Sequence, residues 1–543
     1  MNVGPVTPRP ARHVLLAFIA LASGAAGAQA PAVQRAAPPM ATPAAAPVFA
    51  IGGFRVEGEN PLGEAQAQRV LAPFVRPQAT METLQQASAA LETALRDAGY
   101  GLHRVALPPQ DVGATVRLQI VKFTVGRVAI EGAQIHDATN VRRALPELKE
   151  GESPNFRTLA IQTAIGNENP NKQVQVSLRE SEQPDRIDAT IAVKEQRPWT
   201  FGVALSNAGS ENTGRDRFTV SGGHTNLFNL DHAFVAAYTT SLAEPDDVRQ
   251  LGLSYKVPLY AQGGVVSATF TRSDVVGNFG AFSSTGAGHT FALAYTHYLA
   301  PRGGRRSYVS LGIEDKQFDA ARINDIVVPG ALDRRSRPLV LGYTSRTETD
   351  AAVWGYDVAL AWNTGSGSHN DLASYQSEDP RVDTVHWKAL RAAASYTAPL
   401  AGDWLWSARY AFQYSPDVLI SGEQFGLGGI ASVRGTELER PISGDSGIST
   451  TVEITTPELA QGLRAIGFVD AGLLRNNNPN GFNKPSSDGL ASVGLGLRFV
   501  RGAFEATADY GYIVKGSRVP LAVNSAAPKK GDDRFYVTVS LRF

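Results

Sequence analysis

No cysteine occurs among the 543 residues. Disulfide scaffolds and thiolate metal sites are therefore excluded, and the chain suits a compartment where stray thiols would be oxidised. Neither sign of charge predominates: 51 lysines and arginines balance 51 aspartates and glutamates. A general nucleic-acid binder shows a basic excess, so no nucleic acid is expected as a partner. Long apolar runs are missing too. No stretch beyond the first thirty residues approaches the ~18 apolar residues of a transmembrane helix, which leaves a closed barrel as the way to cross a bilayer. The mean hydropathy of −0.14 is compatible with one, because lipid-facing and lumen-facing residues alternate along barrel strands. Neither a His-Glu-x-x-His metal site nor a Gly-x-x-x-x-Gly-Lys phosphate loop is found, so no metal, no cofactor and no ATPase activity is expected.

The chain starts with a targeting pattern. Arg9 and Arg12 precede an apolar stretch, Val14 to Leu21, and Ala26-Gly27-Ala28 supplies small residues for cleavage. Residues 1–28 read as a signal peptide, too short in its apolar part to span a membrane. Residues 29–48 are rich in Ala and Pro, cannot bury enough apolar surface to order themselves, and read as a linker.

Two similar units are expected next, over 49–122 and 123–197. In the first, a strand Phe54–Glu57 turns at Gly58 and a helical pattern runs to Phe74. A second helix capped by Thr80 carries the apolar stripe Leu84, Ala87, Leu91, Ala94, Leu95 and Ala98, and stops at Gly99. Strands Tyr100–Ala106 and Ala114–Lys122 close the unit. The second unit repeats the order: strand Val125–Glu131, helices over Asp137–Leu145 and Phe156–Ile165, then a hairpin alternating Val174, Val176, Leu178 with Ile187, Ala189, Ile191, Val193. Each is a β-α-α-β-β module of about 70 residues with one sheet and two helices.

From Trp199 to Phe543 no convincing helix is visible, only alternating runs between Gly, Asn, Asp and Pro clusters. Phe201/Val203/Leu205, Leu251/Leu253/Tyr255/Val257, Trp354/Tyr356/Val358/Leu360/Trp362 and Trp404/Trp406/Ala408/Tyr410/Phe412 are examples. Their ends are aromatic, as interface girdles require, and the runs reach membrane-spanning length. At roughly 20 to 22 residues per strand and connection, residues 198–543 hold about 16 antiparallel strands, an even number that closes without edges. Phe535, Val537, Val539, Leu541 and Phe543 share one face of a last strand whose other face carries Tyr536, Thr538, Ser540 and Arg542. Such a strand ending in phenylalanine is the expected signal for barrel assembly.

Several motifs carry a family resemblance. Gln424-Phe425-Gly426-Leu427-Gly428-Gly429, Ser432-Val433-Arg434-Gly435 and Ser443-Gly444-Asp445-Ser446-Gly447 resemble the long loop of the two-partner secretion transporters. These are the haemolysin secretion/activation proteins (ShlB/FhaC/HecB-like) of the Omp85 superfamily. Gly467-Phe468-Val469-Asp470-Ala471-Gly472 resembles the strand motif that follows it, and Leu107-Pro108-Pro109-Gln110 and Asn169-Pro170-Asn171 add further matches. The resemblance implies a transmembrane β-barrel preceded by two small α/β POTRA domains. The barrel would sit in the outer membrane as a monomer, in contact with lipid and inserted by the barrel-assembly machinery, with the POTRA domains in the periplasm. Its partner would be a secreted haemolysin- or adhesin-like exoprotein, exported by type V secretion and folding outside.

An arginine flanked by glycine in a long loop near 425–450 can fold into a polar lumen, where an unpaired guanidinium is costly. The family pattern implies Asp470, on the same strand face as Phe468, as its partner, so that Val433, Arg434, Gly435 and the Gly444, Asp445, Ser446, Gly447 segment form a latch against the Phe468/Asp470 wall. Many relatives also carry a plugging helix ahead of the first POTRA domain; residues 31–47 are too proline-rich for one.

Gly444-Asp445-Ser446-Gly447 also resembles a trypsin-like nucleophile segment. That chemistry needs an oriented histidine and a glycine-rich oxyanion turn; Ile448 stands where the glycine would be, and none of the nine histidines has a catalytic context. No catalytic residue is assigned and no enzyme is expected. The alternative within the superfamily is an insertase that assembles other barrels, whose members usually carry three or more POTRA domains. A passive porin has no need of 150 residues of modules.

Overall fold

The computed structural model describes residues 48–111, 114–211, 213–323, 326–481 and 483–543. The expected signal peptide (1–28) and nearly all of the linker (29–48), including its proline-rich residues 31–47, lie outside these residues.

The first module is built from β1 (Gly53–Glu57), α1 (Glu64–Leu71), α2 (Met81–Asp97), β2 (His103–Ala106) and β3 (Thr115–Lys122). β3 is central, parallel to β1 and antiparallel to β2. Thr80 and Thr83 form a reciprocal capping box at the start of α2, and Leu84, Ala87, Leu91 and Leu95 bury that helix against Phe54, Val116 and Leu118. The helical pattern expected to reach Phe74 gives way at Leu71 to a 3-10 turn, Ala72–Phe74, because Pro73 has no N–H to continue the ladder. The second module repeats the order with β4 (Thr124–Glu131), α3 (Ala138–Ala144), α4 (Phe156–Gly166), β5 (Lys172–Glu180) and β6 (Arg186–Glu195). Its hairpin register, Val174 with Val193, Val176 with Ile191 and Leu178 with Ala189, puts the expected apolar set on one face. Phe123 alone separates the two modules' sheets. The Asn155 side chain caps α4 and also donates to the Ala98 carbonyl at 3.1 Å, tying the modules together.

Sixteen antiparallel strands then close a barrel. They run from β7 (Trp199–Ser206), β8 (Arg217–Leu227), β9 (His232–Thr240), β10 (Arg249–Leu259) and β11 (Gly264–Ser273) round to the strand Asp533–Arg542, which pairs with β7 from Thr538/Ser206 to Arg542/Gly202. Phe201, Leu205, Trp354, Tyr356, Val358, Leu360, Tyr410 and Phe412 are exposed, as are Phe535 and Phe543. So much apolar surface around a closed sheet matches a lipid-facing band and not a wetted one. No described helix is long and apolar enough to cross a membrane. One helix was not expected beyond Trp199. Leu372–Gln376, capped by Asp371, lies in a connection and buries Tyr375 beside Trp387. Five residues are too few to leave a helical period in the sequence.

Candidate functional site: a loop pinned inside the barrel

The connection between the strands Leu405–Tyr414 and Ser446–Thr455 folds back into the barrel, and its tip meets the inner wall at Arg434, which is 2 % exposed. The strand Leu463–Arg475 presents Phe468 and Asp470 inward, two residues apart and both buried. Arg434 Nε donates to Asp470 Oδ2 at 2.8 Å and Nη2 to Oδ1 at 2.9 Å, while the Arg434 backbone N–H donates to Oδ2 at 3.1 Å. This planar two-point grip positions the loop tip as well as neutralising it. The guanidinium carbon lies 3.3 Å from the Phe468 ring centroid, so the ring face supports the cation from the other side.

Residues that sequence reasoning missed complete the setting. Glu453 Oε1 is 2.8 Å from Arg434 Nη1, and Asp509 Oδ2 is 3.6 Å away. Arg409 and Arg498 in turn bind Glu453 and Asp509, so three carboxylates face three guanidiniums in one cluster. The Tyr536 hydroxyl accepts the Gly435 and Thr436 N–H groups at 3.2 Å each and donates to the Thr436 carbonyl at 2.6 Å. Close approach needs glycine on both sides. A Cβ on Gly435, whose φ is +111°, would lie 3.1 Å from the Gly511 carbonyl oxygen, and a Cβ on Gly511 would lie 2.8 Å from the Arg434 carbonyl carbon. Val433 is wholly buried with Leu427, Ile442, Leu474, Leu490 and Ile513, giving the loop an apolar seat beside its ionic one.

The second loop motif lies elsewhere. Gly444 pairs with Phe425 in a short hairpin, and Asp445, fully buried, accepts from the Leu419 and Asn477 N–H groups at 2.9 and 2.8 Å and from the Gln424 amide at 3.1 Å. Asp445 therefore ties the base of the loop while Arg434 holds its tip. Gly447 leaves room for the Phe425 ring. The Ser446 hydroxyl meets the Ser415 backbone, and no histidine, among the described residues. A third anchor had no motif to announce it: Glu423, fully buried, is bound by Ser336 at 2.6 Å, Arg391 at 2.7 Å and Lys316 at 3.3 Å. Charged residues at inward positions of alternating strands were the available signal for Glu453, Asp509, Lys316 and Arg391. Among the described residues no His, Asp and Glu group could hold a metal ion.

The profile described as haemolysin secretion/activation protein ShlB/FhaC/HecB matches residues 186–499, and that of the POTRA domain, ShlB-type, matches residues 49–122. The outer membrane transporter CdiB of Dickeya dadantii is 24 % identical over 414 residues, covering 74 % of this chain and 71 % of its own length. That of Escherichia coli is 23 % identical over 501 residues, covering 85 % and 80 %. Among solved structures, CdiB from Escherichia coli superposes with a TM-score of 0.73 at 20 % identity over 93 % of both chains, and CdiB from Acinetobacter baumannii with 0.67 at 18 % identity over 92 % and 90 %.

Proposed function

The chain belongs to the haemolysin secretion/activation protein family (ShlB/FhaC/HecB) and is an outer-membrane two-partner secretion transporter with periplasmic POTRA domains, and from that premise we propose how it handles its exoprotein. The POTRA domains recognise the unfolded partner by letting it add a strand to an open sheet edge. β2 and β5 are such edges, each paired on one side only among the described residues. The partner then passes through the lumen, from which the loop carrying Arg434 must first be displaced. The observation that carries this reading is the loop itself: it occupies the lumen through side-chain bonds, to Asp470 at its tip and to Lys316 and Arg391 through Glu423, that can break without unfolding a strand. The latch assignment covers Val433, Arg434 and Gly435 against Phe468 and Asp470, with Gly444, Asp445, Ser446 and Gly447 anchoring the base of the loop. The barrel works as a monomer in outer-membrane lipid. Its last strand, with Phe535, Val537, Val539, Leu541 and Phe543 directed outward, is the part read by the barrel-assembly machinery.

The test compares the native host with and without the gene, by proteomics of the culture medium and of the outer membrane. Loss of one large protein from the medium with an unchanged membrane profile is expected. Loss of many barrels from the membrane would mean an insertase instead.

A further inference from the structure

The second module is not hung on a flexible linker. Three residues, Gln196 to Pro198, separate β6 from β7, and the Asn171 side chain holds the Arg197 carbonyl among them. The module's apolar core, Val141, Leu159, Ile165 and Val174 among others, continues into Tyr260 and Tyr298 of the barrel's rim. Between these lies a wholly polar contact. Lys172, the first residue of β5, is fully buried, and its ammonium meets Asp231 Oδ2 at 2.5 Å and Asn140 Oδ1 at 2.9 Å. Asp231 belongs to the turn between β8 and β9, on the barrel. Its carboxylate also accepts from Tyr260 OH at 2.8 Å and the Asn140 amide at 3.1 Å, with His136 Nε2 3.7 Å away.

A lysine is almost never fully buried without a partner, because removing an ion from water costs several kcal/mol. Here burial holds the Lys172 ammonium below its usual range, and the Asp231 carboxylate offsets only part of that shift. Two ions, one from each body, have thus been taken out of water at a joint that the apolar contact already closes. The turn that supplies Asp231 is itself strained: Phe228, Asn229 and Asp231 all have left-handed φ, at 59°, 57° and 59°. The module holds this turn and the end of β8 at further points, since Asn140 and Arg143 donate to the Asn229 carbonyl at 3.0 and 2.8 Å, and Asn169 donates to the Thr225 carbonyl of β8 at 3.0 Å. Asn169 and Asn171 are the two asparagines of the Asn-Pro-Asn motif, directly before Lys172. That motif therefore belongs to the joint.

We propose that the Lys172–Asp231 pair is an orientation lock: it fixes the second module on the barrel as one body, with no hinge between them. An ion pair is directional and costly when misaligned, so it selects one docking angle where apolar contact alone would tolerate several. The angle matters because the groove between α4 and β5, about 810 Å³ and lined by Phe156, Leu159, Val174 and Val176, includes Pro301 and Arg306 of the barrel rim in its wall. The lock holds that groove and the open β5 edge at the barrel mouth. Lys172 is thus a positioning residue, and the lock stands or falls independently of what the groove binds.

The cysteine-free chain allows spin labels at Gln183→Cys, on the β5–β6 hairpin, and Ala401→Cys, in a barrel turn. Their separation is then measured by pulsed electron resonance on the full-length protein in lipid nanodiscs. One narrow distance distribution is expected for the parent. Lys172→Met and Asp231→Asn should each widen it at least twofold, and the double variant no further than either single. Heat-modifiable migration reports the barrel's fold, and amide-exchange protection of α4 and β6 reports the module's; both should be unchanged. A parental width in either folded variant overturns the lock. So does widening accompanied by loss of protection within the module, which would make Lys172 a structural lysine only. Should Lys172→Met fail to insert, the isosteric Asp231→Asn decides alone.

Discussion

Arg434 ties the loop to the barrel wall through a single side chain. Its guanidinium is held at two points by Asp470 and on a third nitrogen by Glu453. Deleting one partner of such a buried pair costs about 3–5 kcal/mol, less where lumen water reaches it. Arg434→Ala and Asp470→Asn should therefore insert normally yet release the tip, giving higher conductance in planar bilayers and protease cleavage within 415–445. An unchanged conductance in an inserted Arg434→Ala protein would refute the latch. Glu195 makes a second prediction at this scale. Burial opposes its charge, but the N–H groups of Ile135, Gln134 and His136 and the His136 ring hold its carboxyl at about 2, down from 4.5. A lowered carboxyl stabilises the fold above its unfolded value, and that stability is lost as pH falls through the folded one. Amide exchange in 132–137 of the full-length protein, corrected for intrinsic rate, should rise as pH falls from 4.5 toward 2, and Glu195→Gln should raise it at neutral pH.

At the level of elements, the inner wall is shaped to receive the loop. The strand Phe504–Lys515 brings Gly511 against the loop's Arg434–Gly435 peptide, where a side chain would collide with backbone. Gly511→Val should prise the tip from the wall and mimic Arg434→Ala in conductance, while the barrel still forms because the strand's outer face is untouched. If Gly511→Val kept the parental conductance, the close packing would be incidental. The modules repeat one plan for one reason: a three-stranded sheet has a single apolar face, and two amphipathic helices cover it. That plan was legible in α2, whose stripe is long and capped. It was less so in α1, where Pro73 ended a pattern that hydrophobic spacing alone would have continued.

For the whole molecule, the outward band makes the bilayer part of the fold. Leu495, 70 % exposed, lies near the middle of the strand Ser487–Arg501. Leu495→Arg should cost about 2–4 kcal/mol of folding free energy in lipid vesicles, as expected for arginine at the midplane. A change below ~1 kcal/mol in a reversible unfolding titration would place that position near an interface. The same alternation explains why the barrel could be read from the chain while the strand ends could not. A period of two survives at every position, but the glycines and asparagines that mark a turn also occur inside strands, as Gly222, Gly223 and Asn226 do in β8.

Local chemistry along the chain was enough for the barrel, the two modules and an inward-folding loop, while the pairing of Arg434 with Asp470 was an expectation that came with the family resemblance of the short motifs. Periodicity, caps and short motifs are properties of neighbouring residues, and they persist whether or not the chain has folded. Glu423 meeting Lys316, Tyr536 holding Thr436, and Lys172 facing Asp231 across a domain boundary have no such trace. Each joins residues at least 59 positions apart. Which inward charges become neighbours depends on strand order, register and the angle between bodies, and these exist only once the sheet has closed.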